Sequence, residues 1–283
     1  MTVHAHPDDE ASKGAPTVAL YHSRGVRTTL VCCTDGAEGD IQNPALKDDE
    51  WIRANLADVR ANELKASCEA IGFDDVEMLG YRDSGMKDSP ANDNPESFHQ
   101  APLDEAVGRL VAIIRRTKPQ VILTYGDDQR GYPHPDHVKV YEISGPAFER
   151  AGAPAWYPEA GEPWQPAKLY YTVWSKARLM AIHNKFAEIG LTSPYDQTWL
   201  DRPGHDERIT TKIDITSHFS ARRAALLAHA TQVDPNEPWW FGLPDDATMS
   251  AYPWEDWVLA ASHVDPLPPN TFEADLFERV ATP

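Results

Sequence analysis

Two short stretches rich in histidine and aspartate each follow a predicted β-strand, and this placement constrains the fold more than any other feature. The first covers residues 4–10 (HAHPDDE) and the second covers residues 132–137 (YPHPDH). Strand-like and helix-like segments alternate between them, which is typical of a parallel sheet with right-handed crossovers. Because ligands of such sheets bind at the carboxyl ends of the strands, we expect both stretches to meet at one edge.

The first half of the chain supplies the elements of that sheet. Apolar and β-branched runs predict buried strands over 27–33 and 120–125, after a very short first strand. Helical spacing of apolar residues predicts helices over 51–71 and 137–151, and we expect Gly145-Pro146 to kink or interrupt the second of these. The predicted fold class is α/β, with a Rossmann-like, mostly parallel sheet flanked by helices.

The second half is predicted to be a smaller α+β portion that completes the active-site pocket. Residues 235–269 are rich in Trp and Pro with little periodicity, so we interpret them as ordered loops and short helices that wall this pocket. We expect one domain over 1–283, in which 1–152 form the α/β metal-binding core and 153–283 the substrate-pocket portion.

Composition excludes several classes of protein. The 283 residues carry a formal net charge of −18, which disfavours binding to nucleic acid and to anionic membranes. The three cysteines do not form a disulfide framework or a thiolate metal site, so we expect buried free thiols. No apolar run is long enough for a membrane helix and no signal peptide is evident, which predicts a cytoplasmic protein. Only three residues precede His4, so a start upstream of Met1 stays open.

The residue types of the two stretches predict a divalent metal site. Imidazole and carboxylate ligands suit zinc, and three protein ligands with an open fourth position are typical of a catalytic centre. We predict that His6, Asp9 and His137 are those ligands. Asp8, whose side chain diverges from that of Asp9, is then free to act as a general base on water activated by the ion. The alternative for such residues is helix capping or turn chemistry.

Further residues of the second stretch are candidates for proton transfer and charge stabilisation. His134 is predicted to be a second acid/base group or a donor to a developing oxyanion. Asp136 could hold the tautomer of His134 through a hydrogen bond, and Tyr132 could supply another hydrogen bond to the oxyanion.

Together, the HAHPDDE and YPHPDH stretches resemble the LmbE/PIG-L family of zinc-dependent de-N-acetylases over most of the chain. The resemblance implies that His6, Asp9 and His137 bind Zn²⁺, with Fe²⁺ as an alternative ion. It also implies that Asp8 is the base, that His134 is the acid or oxyanion partner oriented by Asp136, and that Tyr132 is a mobile oxyanion donor. Arg130 departs from the small residue expected before Gly131.

Three residues outside the two stretches are candidates for substrate binding. Arg60 is predicted to face the sheet and to bind inositol hydroxyls, with a salt bridge as the alternative. Asp83 is a second candidate, for which turn capping is the alternative. Lys13 could contact the substrate near the metal, or could be an ordinary exposed helix lysine. His229 and Gln232 lie at a helix end, where capping and core packing are as plausible as substrate contact.

The resemblance implies a cytoplasmic metal-dependent amidase. Lys13 and Pro133 favour the branch that hydrolyses the amide between N-acyl-cysteine and glucosaminyl-inositol in mycothiol S-conjugates, a detoxification reaction. The alternative is a zinc-dependent deacetylase of an N-acetylglucosamine derivative, and an alternative of another class is a non-catalytic sugar- or metal-binding protein. The predicted partner is a small thiol-sugar conjugate or N-acetyl amino sugar; a homo-oligomer stays open.

Overall fold

A computed structural model describes residues 1–128, 132–266, 268 and 271–281 of the chain. The strands in these ranges are β1 (Thr2–His4), β2 (Thr29–Thr34), β3 (Asp75–Tyr81), β4 (Val121–Thr124), β5 (Lys168–Val173), β6 (Thr211–Asp214) and β7 (Trp254–Ser262). The α-helices are α1 (Asp9–Ser12), α2 (Ala15–Ser23), α3 (Glu50–Ala54), α4 (Leu56–Ile71), α5 (Leu103–Thr117), α6 (Pro135–Ala151), α7 (Lys176–Glu188), α8 (Gln197–Leu200), α9 (Ser220–Ala228), α10 (Pro238–Phe241) and α11 (Asp245–Ala251).

All seven of these strands form one sheet in the order β3-β2-β1-β4-β5-β7-β6. The first five strands in this order, from β3 to β5, run parallel to one another. β7 is antiparallel to both β5 and β6, so the second half of the chain extends the same sheet. The predicted α/β fold class with a mostly parallel sheet is confirmed.

Helices cover both faces of the sheet, and the alternation along β2 shows why. Val31 and Cys33 are buried in a cluster with residues of α5 and α6. Leu30 and Cys32 point to the opposite face and are buried against α4. Successive side chains of a strand point to opposite faces, so a strand with apolar side chains on both faces requires a helical layer on each side.

Two helix predictions need correction. The predicted helix over 51–71 is two helices, α3 and α4, separated at Asn55. The predicted interruption at Gly145-Pro146 does not occur, because α6 continues through Pro146. Ser144 and Ala147 are buried on either side of this proline. Tertiary packing of this kind supplies most helical stability, and here it outweighs the loss of one backbone hydrogen bond.

The prediction of loops and short helices over 235–269 is incomplete. This region contains the short helices α10 and α11, but it also contains β7, which lies between two other strands. Glu255 and Asp256 of β7 are buried, where they pair with Arg222 and Lys212. These charges obscure the apolar pattern that would otherwise predict a buried strand.

Two predictions from composition can be compared with the structure. Cys32, Cys33 and Cys68 are buried free thiols, as expected. Among the residues that the structure describes, no helix combines the length and the apolar character needed to cross a membrane.

Candidate metal centre

The two His/Asp stretches meet at the carboxyl edge of the sheet. β1 and β4 are parallel neighbours, so the residues that follow them emerge side by side. α1 begins directly after the first stretch, and α6 begins within the second. The short α1 and the N-terminus of α6 therefore present their first residues toward the same volume, as the sequence predicts.

His6, Asp9 and His137 are buried and face one another. Nδ1 of His6 and Nε2 of His137 each lie 3.4 Å from Oδ2 of Asp9. The three side chains form a group whose candidate ligand atoms lie within 4.8 Å of one another. A tetrahedral ion with bonds of about 2.0–2.1 Å separates its ligand atoms by roughly 3.4 Å. The donor set and its spacing therefore fit one divalent ion.

Asp9 is held in place by a second contact. Its Oδ1 accepts a hydrogen bond of 2.5 Å from Nζ of Lys13, one helical turn away. Burial alone would raise the pKa of Asp9, but Lys13 and His137 outweigh it and hold that pKa well below its usual range. Asp9 is therefore ionised and able to act as a ligand. Lys13, predicted to contact substrate, is paired with this carboxylate.

The outer nitrogen of His6 is bound by Asp136. Nε2 of His6 lies 3.1 Å from Oδ2 of Asp136, and that carboxylate also accepts hydrogen bonds from the backbone N–H and the hydroxyl of Ser84. An imidazole that donates one N–H to a carboxylate presents its other nitrogen as a metal ligand in a fixed orientation. Asp136 thus orients His6 toward Asp9 and His137.

This contact corrects the predicted pairing of Asp136 with His134. The Asp136 carboxylate lies 4.0 Å from Nδ1 of His134, beyond hydrogen-bonding distance. Nδ1 instead accepts a 3.2 Å hydrogen bond from the backbone N–H of Asp136, because His134 is the N-cap of α6. The neutral ring therefore carries its proton on Nε2. Burial and the neighbouring His6 lower the pKa of His134 to about 4.

A second group of candidate ligands shares His6 with Asp83, His134 and Asp136. The contacts of its other three members argue against it. The Asp136 carboxylate is satisfied by Ser84 and His6, and Nδ1 of His134 accepts a backbone N–H. Asp83 accepts backbone hydrogen bonds from Gly85 and Glu38. The His6, Asp9 and His137 group leaves these interactions intact.

Asp8 lies beside the ligand group but outside it. Its side chain is 30% exposed, and Oδ2 lies 3.0 Å from Nη2 of Arg60. Partial burial raises the pKa of Asp8, although Arg60 acts in the opposite direction. A carboxylate with a raised pKa is a better proton acceptor.

Arg60 bonds to the protein. Its guanidinium donates to the backbone carbonyls of Pro7 and Gly36 and to the Asp8 carboxylate, and the residue is 2% exposed. These contacts correspond to the salt-bridge alternative. Because Arg60 also lines the cavity at the centre, its contact with inositol hydroxyls stays a prediction.

Asp83 and Tyr132 have different surroundings. Asp83 Oδ1 accepts from the Gly85 N–H at 2.8 Å, which is the turn-capping alternative, and also lies 3.6 Å from Nε2 of His6. The ring of Tyr132 is 53% exposed and lies over His134, with 6.0 Å between ring centroids. Arg130 and Gly131, which the sequence also singled out, lie outside the described residues.

A buried network behind the first stretch is not predicted by the sequence. Oε1 of Glu10 accepts from the hydroxyl of Ser67 and lies 2.6 Å from Nε2 of His229, while Oε2 accepts the backbone N–H of Asp8. His229 is fully buried, so it packs behind the centre and does not reach the cavity. Glu10 belongs to the HAHPDDE stretch, but its partners come from α4 and from the end of α9, which the sequence does not bring together.

Two adjoining cavities lie at the centre. A polar cavity of about 280 Å³ is lined by the candidate ligands and by Asp8, Arg60 and Asp83. A cavity of about 550 Å³ with aromatic walls adjoins it. Ser12, Lys13, Tyr132 and Trp240 line both.

Comparison with known proteins places this architecture in a family. The family model described as GlcNAc-PI de-N-acetylase (PIG-L) matches residues 1–148. The chain is 43% identical over 286 residues to a mycothiol S-conjugate amidase of Streptomyces coelicolor, covering 98% of this chain and 95% of that protein. It is 42% identical over 248 residues to a 1D-myo-inositol 2-acetamido-2-deoxy-alpha-D-glucopyranoside deacetylase of Thermobispora bispora, covering 84% of this chain and 80% of that one.

A solved structure shares the fold at low sequence identity. The N,N'-diacetylchitobiose deacetylase of Pyrococcus horikoshii aligns with a TM-score of 0.58 and 18% identity, covering 84% of this chain and 71% of that one. The resemblance inferred from the two His/Asp stretches is thus confirmed, and the chain belongs to the PIG-L family.

Proposed function

We propose that the protein is a metal-dependent hydrolase that cleaves an amide on an amino sugar. One observation carries this proposal. The Asp8 carboxylate shares a cavity with His6, Asp9 and His137, yet it lies outside the ligand group and is held by Arg60. A structural metal site needs no unliganded carboxylate at its side, whereas a hydrolytic site requires a base there.

His6, Asp9 and His137 would hold the ion. Two imidazoles and one carboxylate suit Zn²⁺, and the same set is accepted by Fe²⁺. When bound, such an ion polarises the amide carbonyl and lowers the pKa of water. Asp136 and Lys13 serve the ligands indirectly, since the first orients His6 and the second pairs with Asp9.

Asp8 is proposed to take the proton of the attacking water. Its partly exposed carboxylate opens to the cavity, and its raised pKa favours proton acceptance. The same group can then return the proton to the leaving glucosamine nitrogen, so the amide carbon–nitrogen bond breaks without a free amide anion.

His134 and Tyr132 are proposed to stabilise the negative charge that develops on the carbonyl oxygen. With Nδ1 occupied by a backbone N–H, neutral His134 presents Nε2–H as a donor. A pKa of about 4 keeps the ring neutral near pH 7, which suits an oxyanion donor better than a proton-carrying acid. The exposed Tyr132 hydroxyl could approach the same oxygen.

The proposed substrate is a mycothiol S-conjugate, cleaved at the amide between its N-acyl-cysteine and glucosaminyl-inositol. The amidase of Streptomyces coelicolor, 43% identical over almost the whole chain, supports this choice. Deacetylation of an N-acetylglucosaminyl-inositol is the second candidate, because the deacetylase of Thermobispora bispora is 42% identical.

A side-by-side assay tests the proposal. The purified, zinc-loaded protein would be given bimane-labelled mycothiol and N-acetylglucosaminyl-inositol, and amine release would be measured for each. We expect faster release from the bimane conjugate. Faster release of acetate from N-acetylglucosaminyl-inositol than of amine from the bimane conjugate would favour the deacetylase. Zinc binding without hydrolysis of either compound or of a wider amide panel would favour a non-catalytic binding protein.

A further inference from the structure

Apart from the residues that it shares with the smaller cavity, the larger cavity has no role in the proposed amide cleavage. We propose that it binds the apolar, aromatic S-substituent of a thioether conjugate, and so makes the enzyme select aromatic over small S-conjugates. This inference rests on the proposed amidase function and adds the class of substituent. Because the cavity adjoins the metal centre at Ser12, Lys13, Tyr132 and Trp240, a substituent near the scissile amide can reach it.

The walls of the cavity are tryptophans already packed into a fixed arrangement. Trp199 and Trp239 lie 4.4 Å apart between ring centroids, and Trp174 contacts both Trp239 and Trp240 at 6.3 and 5.9 Å. Trp174 is 37% exposed although it sits in a concave surface. Aromatic faces left open in a cavity are typical of a ligand site, and planar ligands stack on such faces.

The charged side chains of this cavity are largely engaged by the protein. Arg208 pairs with Asp127 at 2.7 Å, and His205 lies 2.5 Å from a carboxylate oxygen of Asp128. The guanidinium of Arg202 stacks over Trp199 at 3.5 Å from the ring centroid. Since these charges are balanced or stacked within the wall, apolar contact dominates what the cavity offers a ligand.

The smaller cavity is polar and the larger one is aromatic. The conjugate is divided in the same way, into a polar sugar-inositol unit and an apolar S-substituent. The smaller one contains the carboxylates of Glu38, Asp40 and Asp83 and the amides of Gln42 and Gln232. These acceptors and donors suit the hydroxyls of a sugar-inositol unit. The aromatic cavity then remains for the acyl side, which carries the thioether.

The size of the aromatic cavity also argues against a small acyl group. At about 550 Å³ it falls in the range of roughly 300–1,000 Å³ that is typical of pockets for drug-sized ligands. An acetyl group would leave nearly all of it unfilled, whereas a benzyl or larger ring system would contact several tryptophans. The reaction itself is unchanged: water adds to the amide carbonyl, the carbon–nitrogen bond breaks, and N-acetyl-S-substituted cysteine and the free amine result.

Two matched substrates test the inference. S-benzyl and S-methyl mycothiol differ only in the substituent, and kcat/KM would be measured for both with the zinc-loaded, full-length protein. We expect S-benzyl mycothiol to be preferred by about 30-fold, which corresponds to ~2 kcal/mol of transition-state binding. Trp199→Ala should reduce that preference by about 10-fold. Trp51→Ala, which removes an exposed tryptophan outside both cavities, should leave the preference unchanged.

A second variant tests the inference if Trp199→Ala does not fold, and a binding measurement tests it if the protein does not hydrolyse these conjugates. Trp174→Leu alters a half-exposed side chain and should also reduce the preference. Binding of N-acetyl-S-benzyl-cysteine can be measured by the quenching of tryptophan fluorescence and needs no catalysis. We expect its affinity to fall about 10-fold in either variant. Equal kcat/KM for the two substrates, or a preference and an affinity unchanged by both substitutions, would overturn the inference. Hydrolysis of neither conjugate would overturn the proposed function, and the binding result would then decide the cavity's role separately.

Discussion

The carboxylate of Asp8 lies 3.0 Å from the guanidinium of Arg60, which reaches it from the second turn of α4. Asp8 has a φ of +131°, a backbone conformation that costs a non-glycine residue about 1–3 kcal/mol. Arg60 and Glu10 hold it there, the first through the Pro7 carbonyl and the second through the Asp8 N–H. The proposed base is thus positioned by two buried charged residues that do not belong to the ligand group.

Replacing Arg60 should lower both activity and stability. In Arg60→Met the Asp8 carboxylate loses its cation, and the buried carbonyls of Pro7 and Gly36 lose their donors, so we expect about 2–3 kcal/mol less unfolding free energy. We also expect about 100-fold lower kcat. Denaturant unfolding and steady-state kinetics would measure these changes. Arg27→Met breaks a largely exposed pair with Asp75 and is the control, because exposed pairs contribute little. Near-native kcat in Arg60→Met would contradict a positioning role.

Glu10 should support turnover without binding the metal. Glu10→Gln keeps one oxygen acceptor, so it cannot serve both the Asp8 N–H and His229. We expect about 10-fold lower kcat, zinc content unchanged, and a loss of about 1–3 kcal/mol in unfolding free energy. Zinc content would be measured by atomic absorption beside the kinetics. Glu188→Gln, at an exposed helix end, is the matched control. A variant that lost zinc but kept kcat per bound ion would show that Glu10 acts on the ligands.

Removal of one ligand should abolish stoichiometric metal binding. His137→Ala leaves only two of the three donors, so we expect dialysed protein to hold far less than one zinc per chain. For the unsubstituted protein, excess zinc should raise the melting temperature and a chelator should reverse the rise, since an ion that binds only the folded state stabilises it by about 4 kcal/mol at a thousand times its Kd. His218→Ala, at a half-buried position outside the ligand group, should retain the shift. A full zinc complement in His137→Ala would refute the assignment of this ligand.

Ser84 should influence metal affinity through Asp136 and His6. Ser84→Ala removes one hydrogen bond from the Asp136 carboxylate but leaves the backbone N–H in place. Loss of such an outer contact typically lowers metal affinity 10–100-fold, and we expect about 10-fold in a competition titration with a zinc indicator. Ser250→Ala, on an exposed helix, controls for loss of a hydroxyl. An unchanged affinity would mean that Asp136 does not need Ser84 to orient His6.

The sequence predicts the metal centre better than its surroundings, and the reason is physical. His6 and Asp9 follow β1 closely, and His137 lies in the first turn of α6, so the sheet alone brings them together. The partners of Asp136 cannot be predicted in this way, because Ser84 arrives from the loop after another strand. His229 is likewise placed by packing between distant helices.

The fold shows the same limit. β2 is buried throughout and apolar at its centre, and it is predicted with nearly correct bounds. β7 is not predicted, because its buried Glu255 and Asp256 pair with Arg222 and Lys212, which lie far away in the sequence. Local patterns identify elements whose burial is apolar, whereas elements that bury paired charges require the tertiary structure.

The most direct test of the central claim is the turnover of Asp8→Asn at a measured zinc content. The introduced amide has nearly the same shape as the carboxylate but cannot accept the proton from water. The account predicts about one zinc per chain, near-native unfolding, and kcat on bimane-labelled mycothiol lowered by about 1,000-fold. Near-native turnover of the zinc-loaded variant would contradict the assignment of Asp8 as the base and, with it, the proposed mechanism.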